Sequence, residues 1–376
     1  MNTPLPSTPV KPATRTRGVH LLLPIGIALL ALLVSLVFFS PRLWAFAHPM
    51  PGSSYWDRGL QFMLQVEDPF GAHLKDAGLT WRLAPALLAH GLGLNGRAAL
   101  VFPWLGLLLL LTFCAALVLR RTGDHLISFL TTTLLGTTSA VLTVTGWLGL
   151  NDAWYASALL AVAFLRSRTV LVIAVLVGPW IDERFILALP LALWVRAEAL
   201  GRDWRPRLAV PASALAILLY TVIRVFNLLH LPTDATNGYR NFLMAGFYLK
   251  WLPWAGLGWF MGLRAVWMLI VVAVGGECRR ADWRPGLLWP AILILGPMLA
   301  ITLLSADSSR TTTMLLPLVL LGVERLIALR GIVETRRVLA WLLVANLLLP
   351  AMQVTHQSGD IINLLPIEFA RWISHP

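Results

Sequence analysis

The chain has 376 residues, 58% of them hydrophobic and 13% charged, with a mean hydropathy of +0.74 and a formal net charge of +12. Several apolar runs approach the roughly 20 residues that cross a bilayer core of about 30 Å, which excludes a soluble globular domain. The basic residues gather at the ends of apolar runs instead of forming one patch, so the charge marks topology and not a nucleic-acid surface.

In chain order, Met1 to Gly18 is rich in proline and threonine and carries Lys11, Arg15 and Arg17, as a disordered cytoplasmic arm would. The first span is expected at Val19 to Phe39. Ala45-Phe46-Ala47 looks like a signal-peptidase site, but an apolar run of about 21 residues exceeds the 7–15 of a signal h-region, so cleavage after Ala47 is the minor alternative. Pro41 to Arg97 then forms a long extracytoplasmic loop holding Asp57, Glu67, Asp68 and Asp76 beside Arg58, Lys75 and Arg82. Trp56, Leu60, Met63 and Leu64 recur at helical spacing, which predicts an interfacial amphipathic helix with Asp57 at its start.

Further spans are expected at Ala98 to Leu119, Leu126 to Thr145, Ala153 to Leu165, Leu208 to Leu229, Trp251 to Val274, Leu287 to Leu304, Thr311 to Leu329 and Val338 to Val354. The result is an all-α polytopic bundle of about nine crossings over residues 19–355, with a short extracytoplasmic tail at 356–376. With the N-terminus inside, 18 of the 30 Lys and Arg fall on the cytoplasmic side, as the positive-inside rule requires of a plasma-membrane protein.

Thr169 to Val195 fits no simple crossing, because Arg166 and Arg168 before it and Arg196, Arg202 and Arg205 after it all favour the cytoplasm. It breaks at Gly178-Pro179 and continues Trp180-Ile181-Asp182-Glu183-Arg184, which predicts two re-entrant half-helices with these charges at the turn. Charges at depth are tolerated only against protein or in a wet cavity. Trp44, Trp147, Trp180, Trp251, Trp283 and Trp341 lie near span ends, as in an aromatic belt.

Candidate chemistry is sparse and acidic. Asp57 serves equally as a helix N-terminal charge or a catalytic base. Asp152 follows Gly149-Leu150-Asn151 and serves either as a helix cap or as a second acid. Asp182, Glu183 and Arg184 form either a compensated ion pair or a ligand site. Arg82, Arg184, Arg240, Lys250 and Arg310 share the outer side, and arginine forks suit phosphate oxygens. His48, His73 and His90 match no metal motif, while Cys114 and Cys278 provide neither a disulfide framework nor a zinc set.

With Tyr55-Trp56-Asp57-Arg58-Gly59 in the first outer loop, Trp81-Arg82-Leu83-Ala84-Pro85 before the second span, Gly149-Leu150-Asn151-Asp152-Ala153 and Asp182-Glu183-Arg184, the layout resembles the GT-C class of membrane glycosyltransferases. That resemblance implies transfer of a sugar from a polyprenyl-phosphate donor to an envelope acceptor at the outer face, with Asp57 as base. Arg82, Arg184, Arg240 or Arg310 would then hold phosphate, with Asp152 and Glu183 in reserve, also as oxygen ligands to a divalent metal; no other cofactor is implied. The paired adjacent acids of the class are absent at Asp57, which shifts that role to Glu67-Asp68, and the tail is too short for a soluble outer domain. A lipid-linked-substrate flippase and a non-catalytic envelope-assembly subunit are the rival readings.

Overall fold

The computed structural model describes residues 21–43, 54–71, 81–230, 252–278, 285–304, 308–354 and 359–374. The chain is helical almost throughout, as expected. The helices are α1 (Leu22–Phe38), α2 (Ser54–Glu67), α3 (Leu83–Gly91), α4 (Val101–Thr122), α5 (His125–Gly136), α6 (Ser139–Gly146), α7 (Asp152–Phe164), α8 (Arg168–Ile181), α9 (Arg184–Leu200), α10 (Pro206–His230), α11 (Leu252–Leu263), α12 (Trp267–Cys278), α13 (Pro285–Leu304), α14 (Leu316–Leu348) and α15 (Leu365–Ser374). Two short strands, β1 (Ala351–Val354) and β2 (Gly359–Ile362), pair antiparallel near the C-terminus.

Four helical stretches among the described residues are long and apolar enough to cross a membrane: Gly96–Thr122, Pro206–Phe226, Trp254–Gly275 and Ser308–Leu348. The chain is a membrane-embedded helical protein. Its exposed surface fits that environment, since Leu215, Leu218, Leu219, Val222 and Phe226 of α10 all face outward, where in water they would form an unsupported apolar patch.

The 41-residue stretch ending at Leu348 would run about 60 Å as one helix, twice the bilayer core. It is broken at Gly331, whose φ of 76° and ψ of 173° no helix contains and few side chains permit. Helices therefore lie on either side of that residue, at the two places where spans were expected. The last expected span ends early: residues 351–354 form β1, because α14 stops at Leu348 and the Ala-Met-Gln-Val segment pairs with β2.

The span expected at Leu126 to Thr145 is the bent pair α5 and α6, which meet at 54° around Thr137 and Thr138. The hairpin expected at Thr169 to Val195 is α8 and α9, with the charges Asp182, Glu183 and Arg184 at its turn as expected, but the first helix does not break at Gly178-Pro179. Pro179 sits inside the last turn of α8; the extended backbone of Asp182 (φ −159°, ψ 134°) ends the helix three residues later. At 14 and 17 residues, the two arms are about 21 and 26 Å long, longer than expected for half-helices.

The main core is an apolar cluster in which α9 packs along α7, α1 and α5 along α4, and α12 along α14. α2 lies against α3 and the short helical turn Gly96–Leu100. Its buried side holds Trp56, Gly59, Phe62 and Val66, whereas Leu64 is exposed; the apolar face is rotated from the expected one because the helix seats on protein. Trp147 is likewise buried with Phe39, Leu142 and Leu150, in a core and not an interfacial belt.

Candidate functional site

Four separate stretches bring charge to one end of the bundle. The turn before α7 is fixed by Gly149 at φ 78°, where an added Cβ would lie 2.7 Å from the carbonyl oxygen of Arg58. That close approach seats α2, at Arg58 and Gly59, on the turn that leads into Asp152. The α8–α9 turn adds Asp182, Glu183 and Arg184, the residue before α3 adds Arg82, and the helical turn Ser308–Thr311 adds Arg310.

These side chains form one continuous ion network. Asp152, 1% exposed, accepts from Arg184 Nη2 through Oδ1 at 2.6 Å and from Arg310 Nη2 through Oδ2 at 2.7 Å. Arg184 also donates from Nε and Nη2 to the two oxygens of Asp182 at 2.8 and 2.7 Å, in the bidentate geometry that makes arginine–carboxylate pairs strong. Arg82 Nη1 lies 3.4 Å from Asp182 Oδ2, and its Nε and Nη2 donate to the two oxygens of Glu183 at 3.2 and 3.0 Å. Three guanidinium groups thus meet three carboxylates. Asp152 is no helix cap: it opens α7, but both its oxygens are taken by arginines, and Asn151 before it makes no side-chain cap bond.

The network has a closed and an open end. The side chains of Asp152, Asp182, Arg184 and Arg310 are at most 8% exposed, whereas those of Arg82 and Glu183 reach 21% and 32%. Tyr155 lies under Arg184 at 5.1 Å. Around the open end, Tyr220 accepts from Arg224 at 2.7 Å and meets Trp180 edge-on at 5.1 Å, while Arg224 lies 6.0 Å over the ring of Trp81. Trp81 itself is buried, and its indole N–H has no acceptor among the described residues.

A second buried cation lies elsewhere. Arg264, in the left-handed region at φ 51°, sits in the break between α11 and α12. Its guanidinium donates to the carbonyl oxygens of Asn346 and Leu349 at 3.1 and 3.0 Å and to that of Thr137, and it lies 4.6 Å over the ring of Phe39. Asn346 completes the junction, donating to Thr137 Oγ1 and accepting from the Ala265 N–H, both at 2.7 Å. Arg264 therefore closes the C-terminal ends of α5 and α14, where helices leave carbonyls without partners.

The opposite end of the bundle is tied by ordinary ion pairs. Arg121 meets Glu324 at 2.8 Å, Arg325 meets Glu198 at 3.0 Å and Arg336 meets Asp124 at 2.5 Å. Arg196 caps chain ends there, donating to the carbonyls of Val162, Leu165 and Trp204. Burial opposes the charge on Asp124, but hydrogen bonds from Arg336 and from the Ile127 N–H outweigh it and hold the carboxyl below its ordinary range.

Of the residues singled out in the sequence, Arg82, Asp152, Glu183, Arg184 and Arg310 converge. Asp57 is half-buried near the start of α2, while Glu67 and Asp68 are exposed at the far end of that helix, about 15 Å along its axis from Asp57, so they do not pair with it. Arg240 and Lys250 lie outside the described residues. His90 donates to the Val66 carbonyl at 2.8 Å and so joins α3 to α2. Asp152 and Glu183, the reserve metal ligands, are each held by guanidinium groups, and no cluster of three His, Cys, Asp or Glu stands ready for a metal among the described residues. Sequence reasoning missed Tyr155, Tyr220, Arg224 and Arg264, although an arginine inside an apolar span is itself the signal for the last two. Comparison with protein-family models, curated proteins and solved structures finds no match.

Proposed function

We propose that the chain is an integral membrane glycosyltransferase of GT-C-like layout, with about nine crossings, the α8–α9 hairpin entering from the cytoplasmic side, and the ion network facing the outer leaflet. The N-terminus is cytoplasmic and the C-terminus extracytoplasmic. The reading rests on one observation: acids and arginines from positions 82, 152, 182–184 and 310, scattered over an otherwise apolar chain, meet in one buried cluster.

In this reading the donor is a sugar linked to a polyprenyl phosphate. The acceptor hydroxyl oxygen attacks the anomeric carbon, its proton passes to Asp57, and the bond from that carbon to the phosphate oxygen breaks, leaving the phosphate on Arg82. Asp57 is the base in this reading because it is half-buried and directly precedes Arg58, whose carbonyl meets the Gly149 turn that leads into Asp152. Asp152 does not, since both its oxygens are bound, so it positions Arg184 and Arg310.

The test is lipid analysis of cells lacking the protein, complemented with wild type or Asp57→Asn. Accumulated polyprenyl-linked sugar that wild type clears and the variant does not supports the enzyme; full rescue by the variant overturns it. The equal number of guanidinium and carboxylate groups favours a second reading, a non-catalytic assembly subunit whose ions only hold helices together. Function retained with Asp57 and Glu183 both neutralised would select it.

A further inference from the structure

The Arg82–Glu183 pair differs from the rest of the network in a way that bears on ligand entry. All other members have side chains at most 8% exposed, and each Asp is shared between two arginines. Glu183 is bound through one guanidinium, presents both oxygens to one edge of it, and is the most exposed acid of the six residues. Two oxygens against Nε and Nη2 of one arginine is also the geometry in which a phosphate group binds. Around this pair the chemistry is rich in donors: Arg224 stands over Trp81 and Tyr220, and the buried Trp81 indole N–H, which can only donate, has no acceptor among the described residues.

We propose that Glu183 is an internal surrogate for a ligand phosphate: its carboxylate holds the Arg82 fork until a phosphate or diphosphate ester displaces it, with Trp81 and Arg224 beside the incoming group. No covalent bond changes in this exchange. Asp182, 3.4 Å from Arg82 Nη1, keeps the guanidinium in place while Glu183 swings outward. The surrogate avoids a bare cation at the rim of an apolar bundle and makes the ligand compete against a tethered carboxylate, which lowers affinity in favour of turnover.

This inference deepens the reading above and rests on it for the nature of the ligand. Wild type, Glu183→Gln, Glu183→Asp and Arg82→Gln, purified in detergent, are titrated with a polyprenyl phosphate, with the uncharged polyprenol and with inorganic pyrophosphate. Glu183→Gln should bind the polyprenyl phosphate about tenfold tighter than wild type, because a competing charge is gone while its shape is kept, and Arg82→Gln about tenfold weaker or not at all. Glu183→Asp, too short to span both donors, should fall between wild type and Glu183→Gln, and it serves as the charge-retaining control for folding. Polyprenol should be indifferent to all three changes. Pyrophosphate following the same order identifies a soluble phosphate as the ligand, whereas an order confined to the lipid identifies the headgroup. Equal or weaker binding by Glu183→Gln overturns the surrogate even if wild type transfers sugar; a gain in phosphate binding without any transfer upholds the surrogate and sinks the enzyme.

Discussion

The network around Asp152 and the junction around Arg264 both keep guanidinium groups away from water, by opposite means. At Asp152, charge answers charge: three arginines and three acids share protons and lone pairs until the sum is zero. At Arg264 none of the hydrogen-bond partners is an acid; the cation is met by carbonyls at two helix ends and by an aromatic face. The first arrangement is built from side chains, which in the proposed reading exchange partners with a ligand. The second is fixed, because its acceptors are the backbone of broken helices, so the same residue type joins side chains in one place and closes helix ends in the other.

Mutations break this comparison in order of cost. Asp152→Asn removes the carboxylate shared by two buried arginines and should destabilise by about 3–5 kcal/mol, read as thermal unfolding in detergent. Adding Arg310→Gln should recover part of that loss, with a coupling energy of at least about 1 kcal/mol. Arg264→Met should cost roughly 2 kcal/mol by stranding helix-end carbonyls, and no second side-chain change should rescue it, because its partners cannot be mutated away. If a partner substitution does rescue it, the junction belongs with the ion network. Gly149→Ala should cost about 1–2 kcal/mol through its positive φ and the contact with the Arg58 carbonyl, read in the same thermal unfolding experiment.

The smallest effect lies at the opposite end. Because the folded-state carboxyl of Asp124 titrates below its unfolded value near 3.9, its contribution is fully present above that pH and is lost as pH falls through the lower folded value. Wild type should therefore lose more stability than Asp124→Asn on acidification from pH 6 to pH 3. A partner as exposed as Arg336 keeps the difference small.

Much of this was legible. Asp152, Arg184 and Arg310 stood out because acids and arginines have few reasons to lie in an apolar chain, and the α8–α9 turn followed from arginines on both its flanks. Arg264 was harder, since its acceptors are peptide groups that leave no trace in a residue pattern, and nothing in an apolar run signals a non-glycine residue at φ 51°. The 54° bend after Gly136 was hidden for the same reason: Thr137 and Thr138 satisfy the broken backbone through their own hydroxyls, bonded to Leu134 and Leu135 carbonyls at 2.7 Å, so hydropathy runs through unbroken. Hydropathy extends the last span over β1 because four mostly apolar residues look alike in either state.

The strand pair near the C-terminus bears directly on Arg310. Ser308 donates its hydroxyl to the Val354 carbonyl at 3.1 Å, and the Val354 N–H donates to the Ser309 hydroxyl at the same distance, so β1 grips the two residues just ahead of that arginine. Trimming the polypeptide before β2, or fusing a bulky affinity handle there, would loosen this clasp and shift Arg310 away from Asp152. Expression vectors for this protein should carry their purification tags at the other terminus.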